Sequence, residues 1–245
     1  MRLKVLLALA AAFAAVSPVL AEPGSPVVAE FFAGTRVAAG SAKKSVAPGD
    51  AFFSALKKAF PNENLILLRE SGEVSGLSRT TADFLTYRSV SYRMTNKLPL
   101  NGEPLLILDG IMPVKSDSGA VSSALAKLKQ ERRQPMKLEA VRSKERIKVK
   151  VDVVFREHFS EGTRILLLVM ESAPVPAPVL QTVDLGYLTP GHRGSLEQVL
   201  KLDRSWLEGR AQAPLRVVAL LQREDDKRIL SAAQAEVAVK TYALF

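Results

Sequence analysis

The chain has 245 residues, 47% of them hydrophobic, with 34 Lys and Arg against 25 Asp and Glu for a formal net charge of +9. That apolar share excludes a disordered, solvating chain and is enough to build packed cores. The sequence contains no cysteine, which excludes disulfide staples, thiol redox catalysis and a lipid anchor on cysteine, so stability has to come from packing alone.

Met1–Ala21 opens with Arg2 and Lys4, continues through an apolar stretch from Val5 to Val16, breaks at Pro18 and ends on Val19-Leu20-Ala21. A basic start, a short apolar middle and small residues before a polar break predict a secretory signal peptide cut after Ala21. The apolar stretch falls short of the roughly 20 residues that a spanning helix needs. Ile165–Met170, a later apolar run, is only six residues long, so no integral membrane anchor is expected. Removing Arg2 and Lys4 lowers the charge by two and leaves the rest basic. A basic exported chain is attracted to anionic headgroups, acidic glycans or acidic proteins, and export argues against nucleic acid as a partner.

Val27–Phe32 is a β-branched and aromatic run interrupted only by Ala29 and Glu30, which predicts a buried strand. After a loop of small and basic residues, Asp50 caps a predicted helix with Phe52, Phe53, Leu56, Ala59 and Phe60 on one face, ended by Pro61. Leu65–Leu68 reads as a second strand, Thr80–Tyr92 as a weaker helix and Leu105–Leu108 as a third strand closed by the turn pair Asp109-Gly110. Val121, Leu125 and Leu128 mark another helix. This alternation predicts an α/β layer over residues 22–134, bounded by the basic stretch Lys127 to Lys137.

The period then changes. Ile147, Val149, Val151 and Val153 alternate with Lys148, Lys150 and Asp152, the pattern of a half-buried strand, and Arg164–Met170 reads as another. Pro174, Pro176 and Pro178 form a stiff connector, and Leu215–Val239 reads as a hairpin with a charged turn at Arg223–Lys227. A mainly antiparallel β domain, in the form of a small sandwich, is expected over residues 135–245.

Val27-Val28-Ala29-Glu30-Phe31-Phe32, Pro48-Gly49-Asp50-Ala51, Glu103-Pro104 before Leu105–Gly110, Trp206-Leu207-Glu208-Gly209 and Arg228–Ala233 occur in an order that resembles a family of secreted bacterial thioredoxin-like proteins whose function is not established. The resemblance implies an α/β thioredoxin-like N-terminal domain followed by a mainly antiparallel β C-terminal domain. It places the family's Cys-x-x-Cys positions on Lys43 and Val46, where neither side chain can act as an attacking or resolving thiolate. Pro104 corresponds to the family's cis-proline and has two readings, a peptide-binding edge beside a relic redox site or an ordinary strand-start proline.

Other chemistry is thinly represented. His158 and His192 are the only histidines, too few for a zinc centre without cysteine. His192-Arg193-Gly194-Ser195 lacks a nucleophile elbow, no glycine-rich phosphate loop follows a strand, and the five methionines form no copper-binding cluster. No catalytic residue, metal or cofactor is therefore expected. Lys43, Lys44, Lys57 and Lys58 are either solvated loop and helix faces or one basic patch for an acidic partner, and the basic stretch Arg142–Lys150 is read as solvated. These observations favour an exported, redox-inactive protein that binds a protein or an acidic envelope component. The alternatives are an enzyme of unrecognised mechanism and a structural envelope protein held to an anionic surface.

Overall fold

The structure, a computed structural model, describes residues 26–32, 53, 56–58, 65–70, 77–100, 105–113, 118–129, 135–154, 162–173, 179–188, 193–202 and 213–239. In chain order its elements are β1 (Val27–Phe32), β2 (Leu65–Glu70), α1 (Arg79–Thr95), β3 (Leu105–Leu108), β4 (Met112–Pro113), α2 (Ser118–Lys129) and β5 (Met136–Ser143). They are followed by β6 (Arg146–Val154), β7 (Thr163–Glu171), β8 (Val179–Tyr187), β9 (Arg193–Lys201), β10 (Leu215–Arg223), β11 (Ile229–Glu236) and β12 (Ala238–Val239). Phe53 and Leu56–Lys58 are also helical.

The strands form three four-stranded sheets, ordered β2-β1-β3-β4, β11-β10-β7-β8 and β12-β5-β6-β9. In the first, β1 and β2 run parallel while β3 is antiparallel to both β1 and β4. The three strands expected from the first half of the sequence do share this sheet, and the Leu215–Val239 hairpin contributes β10 and β11 to another.

Alternation along the strands decides how the sheets stack. Ile147, Val149, Val151 and Val153 of β6 face Ile165, Leu167 and Val169 of β7 and Val217, Ala219 and Leu221 of β10 in one core. The even residues Leu166, Leu168, Met170, Val218 and Leu220 face the other way, into a second core with Val28, Ile66, Leu68 and Leu85. The central sheet is therefore covered on both faces. That explains why Ile165–Met170 and Leu215–Leu221 are buried without interruption, and why Ile165–Met170 and Val217–Leu221 read as continuous apolar runs. The odd residues of β1, Val27, Ala29 and Phe31, form a third core with Phe53, Leu56 and the α2 residues Val121, Ala124, Leu125 and Leu128.

This packing corrects the α/β thioredoxin-like class expected for the first half. The chain is mostly β, and much of one face of its N-terminal sheet lies against the central β-sheet, in a core that both halves of the sequence build. An α/β layer reading assumes that helices cover both faces of the sheet. Here a second sheet supplies much of that cover on one side, and the apolar runs of β7 and β10 are what allow it.

Candidate functional site

The interface between the N-terminal and central sheets is apolar at one end and ionic at the other. Ser78 starts α1 by accepting a hydrogen bond from the Thr81 amide at 3.2 Å. The helix then turns Thr81, Leu85, Arg88 and Tyr92 inward at helical spacing. Leu85 joins the apolar core, while Arg88 and Tyr92 meet Glu30 from the middle of β1 and Glu70 from the end of β2. From the opposing sheet, Gln222 of β10 lies on the even face and reaches the same point.

Arg88 Nη2 donates to Glu30 Oε1 at 2.5 Å, Nε donates to Glu30 Oε1 at 2.9 Å and to Glu70 Oε1 at 3.2 Å, and Nη1 donates to Gln222 Oε1 at 2.7 Å. The Tyr92 hydroxyl donates to Glu30 Oε2 at 2.6 Å and accepts from Gln222 Nε2 at 2.8 Å. Gln222 Nε2 also donates to the Lys227 carbonyl at 2.6 Å. The Arg88 side chain is 4% exposed and those of Glu30 and Glu70 are fully buried. The guanidinium also lies 5.1 Å from the centroid of the Tyr92 ring, and Phe32 packs edge-on to that ring at 5.4 Å.

Two carboxylates here share one guanidinium. Burial pushes the Glu70 carboxyl well above its ordinary range; Arg88 opposes the shift, while the Glu30 charge and a hydrogen bond shared with Glu30 add to it. Burial also raises the Tyr92 phenol, with Arg88 again opposing and Glu30 and Glu70 reinforcing. Burial disfavours the charge on Arg88, but Glu30, Tyr92 and Glu70 more than offset it, and its pKa rises. The cluster thus pairs a fixed cation with a carboxyl group, Glu70, that keeps its proton to higher pH than a solvated glutamate does.

A titration consequence follows from the raised Glu70 pKa. The folded state keeps that proton after the unfolded chain has lost it, so this contribution to stability is full below the unfolded carboxylate pKa and is lost as pH rises through the folded value. Glu70→Gln imitates the protonated acid. Urea unfolding is expected to give nearly equal stabilities for the two proteins near about pH 4 and a growing advantage for Glu70→Gln as the pH is raised. A wild-type excess that grows with pH would show that Glu70 is ionised in the folded state.

The network borders a shallow cleft with Tyr87 and Ser91 of α1 on one side and Arg164, Gln222 and Lys227 on the other. It has room for about one water molecule. Its cations are engaged: Arg164 pairs with Asp184 and Glu224 at 3.0 Å each, and Lys227 pairs with Glu224 at 2.6 Å. Among the described residues no group of three His, Cys, Asp or Glu side chains is placed to hold a metal ion.

Of the positions singled out by the sequence, Lys43, Lys44, Val46 and Pro104 lie outside the described residues, as do His158 and His192. Lys57 and Lys58 are exposed, and their neighbours Phe53 and Leu56 pack on the face of the N-terminal sheet opposite Glu30. The ionic network was not anticipated from sequence. Its signals were a single Glu in the apolar run Val27–Phe32 and the Thr81-Leu85-Arg88-Tyr92 spacing, which sets charge where a helix normally carries only apolar residues.

A crystal structure of a protein from Agrobacterium tumefaciens matches 92% of this chain and 100% of its own, with a TM-score of 0.50 and 14% identity. At that identity the likeness concerns the fold alone. A domain of the outer membrane lipoprotein Omp28 from Porphyromonas gingivalis matches 44% of this chain and 91% of its own with a TM-score of 0.36 and 10% identity. A superoxide reductase from Ignicoccus hospitalis matches 46% of this chain and 86% of its own with a TM-score of 0.30 and 18% identity. No protein-family model matches the chain, and no curated protein sequence does. Among the described residues no helix is long and apolar enough to cross a membrane.

Proposed function

We propose that this chain is an exported binding protein without redox activity, and that its partner is an acidic component of the cell envelope. The observation that carries the reading is the closure of the Arg88 network. The groups with shifted pKa values that converge at one point are buried and bonded to one another, and the adjoining cleft has no space for a substrate larger than about one water molecule. An active site needs such groups to meet a ligand. Here they join two layers of the fold, which leaves the surface to do the work, and the surface carries the charge excess of a basic chain.

Export rests on the basic, apolar and small-residue order of Met1–Ala21. Intact-mass measurement on material purified from the native envelope is expected to show a chain beginning at Glu22, and a full-length mass would overturn that assignment. The binding reading predicts that the immobilised mature protein retains an envelope component that is released when ionic strength rises from about 0.1 M to about 0.5 M, because screening shortens the reach of surface charge. Retention indifferent to salt would remove the acidic partner.

A further inference from the structure

The outer face of the β12-β5-β6-β9 sheet is divided along its length by charge. At one end the strand register places Lys150 between Glu139 and Glu197, and Asp152 between Lys137 and Ser195. Asp152 accepts a hydrogen bond from Ser195 Oγ and pairs with Lys150 at 3.4 Å. Acids and bases balance there.

Toward the β5–β6 turn the balance is lost. Lys148 stands between Val141 and Val199, its amine held by Glu197 at 2.8 Å. Arg146 stands directly opposite Lys201, and neither makes an ion pair with a described acid. Lys144 and Glu145 are both exposed at the turn itself, and that one carboxylate still leaves a cationic excess once Arg146 and Lys201 are counted. The turn is fixed from beneath: the buried Arg142 donates through Nε to the Lys144 carbonyl at 2.9 Å, and the Leu202 amide, one residue past β9, donates to the Glu145 carbonyl at 2.8 Å. Those bonds hold the exit of β9 against the turn and keep Lys201 beside Arg146. Like charges directly opposite on neighbouring strands destabilise a sheet, so this end of the fold keeps an arrangement that an external anion would relieve.

We propose that this end of the sheet, formed by Lys144, Arg146, Lys148 and Lys201 around Val199, docks the protein on anionic phospholipid bilayers. The inference rests on the acidic-partner reading above and names the partner's class. Lipid is favoured over protein by composition. Lysine is depleted in protein–protein interfaces, and aromatic side chains are the usual anchors, yet three of these four cations are lysines and the described outward positions of β5, β6 and β9 carry no aromatic residue. A cluster of long basic side chains around one apolar residue suits a headgroup layer, which takes charge without shape complementarity. Val199, 53% exposed, supplies the apolar element.

The test uses the mature full-length chain and sedimentation with phosphatidylcholine vesicles, with or without about 30% phosphatidylglycerol. Wild-type protein is expected to bind only the anionic vesicles and to be released by salt. Arg146→Glu with Lys201→Glu should weaken that binding at least about 20-fold, since each basic residue at such a surface strengthens binding about fivefold. Lys57→Glu with Lys58→Glu changes net charge equally and should shift binding by less than about threefold. The neutral pair Arg146→Gln with Lys201→Gln, a milder surface change, should give an intermediate loss. Equal losses from the two reversals would overturn the site in favour of net charge. Wild-type protein that ignores anionic vesicles but is still retained by an envelope extract would overturn the lipid surface and leave the binding reading standing. Tighter binding to soluble polyglutamate than to the vesicles, lost in Arg146→Glu with Lys201→Glu, would assign the patch to an acidic protein instead.

Discussion

Arg88→Met should destabilise the protein by about 3–5 kcal/mol, a large share of the roughly 5–15 kcal/mol that keeps an ordinary domain folded. Methionine fills much of the same volume, so the loss reports on charge and hydrogen bonding more than on packing. The substitution leaves Glu30 fully buried without its cation, although the Tyr92 hydroxyl still donates to it, and strips Gln222 Oε1 of the Arg88 donor. Glu70 loses the cation that opposes its raised pKa. Arg88→Lys should recover only part of the loss, because one ammonium cannot reach two carboxylates and the Gln222 amide in the fixed fork that the guanidinium offers. Urea unfolding of both variants decides this. Adding Glu30→Gln to Arg88→Met should cost less than the sum of the two single changes, since the second removes the charge that the first leaves unpaired. Strict additivity would mean that the two side chains do not share a network in solution.

The location of that network explains why the sequence reveals strands more readily than their assembly. The alternation of Ile147, Val149, Val151 and Val153 announces β6 and its buried face, because one side of that strand meets water. Ile165–Met170 and Val217–Leu221 also read as strands, but an unbroken apolar run cannot say which of its faces meets which layer. The doubly covered central sheet was therefore invisible in the sequence, and with it the sheet-on-sheet contact that makes the chain mostly β. Strand β9 was missed because its described side chains from Gly194 to Val199 are all at least partly exposed, so no apolar period stands out. Helix α1 looked weak for a related reason. Its inward face carries Thr81, Arg88 and Tyr92 beside Leu85, while Tyr87, Val90 and Met94 point outward, which inverts the usual amphipathic pattern. Glu30 and Gln222 each read as a polar break within or at the end of an apolar run, and their meeting at Arg88 and Tyr92 spans too much of the chain for any local period to reveal it.

Gly110→Ala should be as damaging as the loss of Arg88, though nothing ionic is touched. The turn after β3 is where the N-terminal sheet is pinned to the β10–β11 hairpin. The Asp109 amide donates to the Val28 carbonyl at 2.8 Å, Asp109 Oδ1 accepts from the Val28 amide at 2.8 Å, and the Ile229 amide donates to the Asp109 carbonyl at 2.9 Å. Gly110 follows with φ +78°, and a Cβ built there would lie 1.9 Å from the Lys227 carbonyl oxygen and 3.3 Å from Arg228 Cα. Both are backbone atoms of a turn that is itself tied down, by Gln222 Nε2 to the Lys227 carbonyl and by the Arg223 amide to the Arg228 carbonyl at 2.9 Å. Neither side can yield without breaking the bonds that join the layers, so the expected loss is about 3–5 kcal/mol. Gly186 separates the two contributions, because its φ of +85° imposes a similar backbone strain while a Cβ there meets nothing within 4 Å. Gly186→Ala should therefore cost only the about 1–2 kcal/mol of the left-handed conformation. If urea unfolding gave the two alanine variants the same stability, the close approach at Gly110 would have been relieved by movement of the hairpin. The Asp109–Ile229 junction would then not be the rigid joint on which Gln222 reaches Arg88.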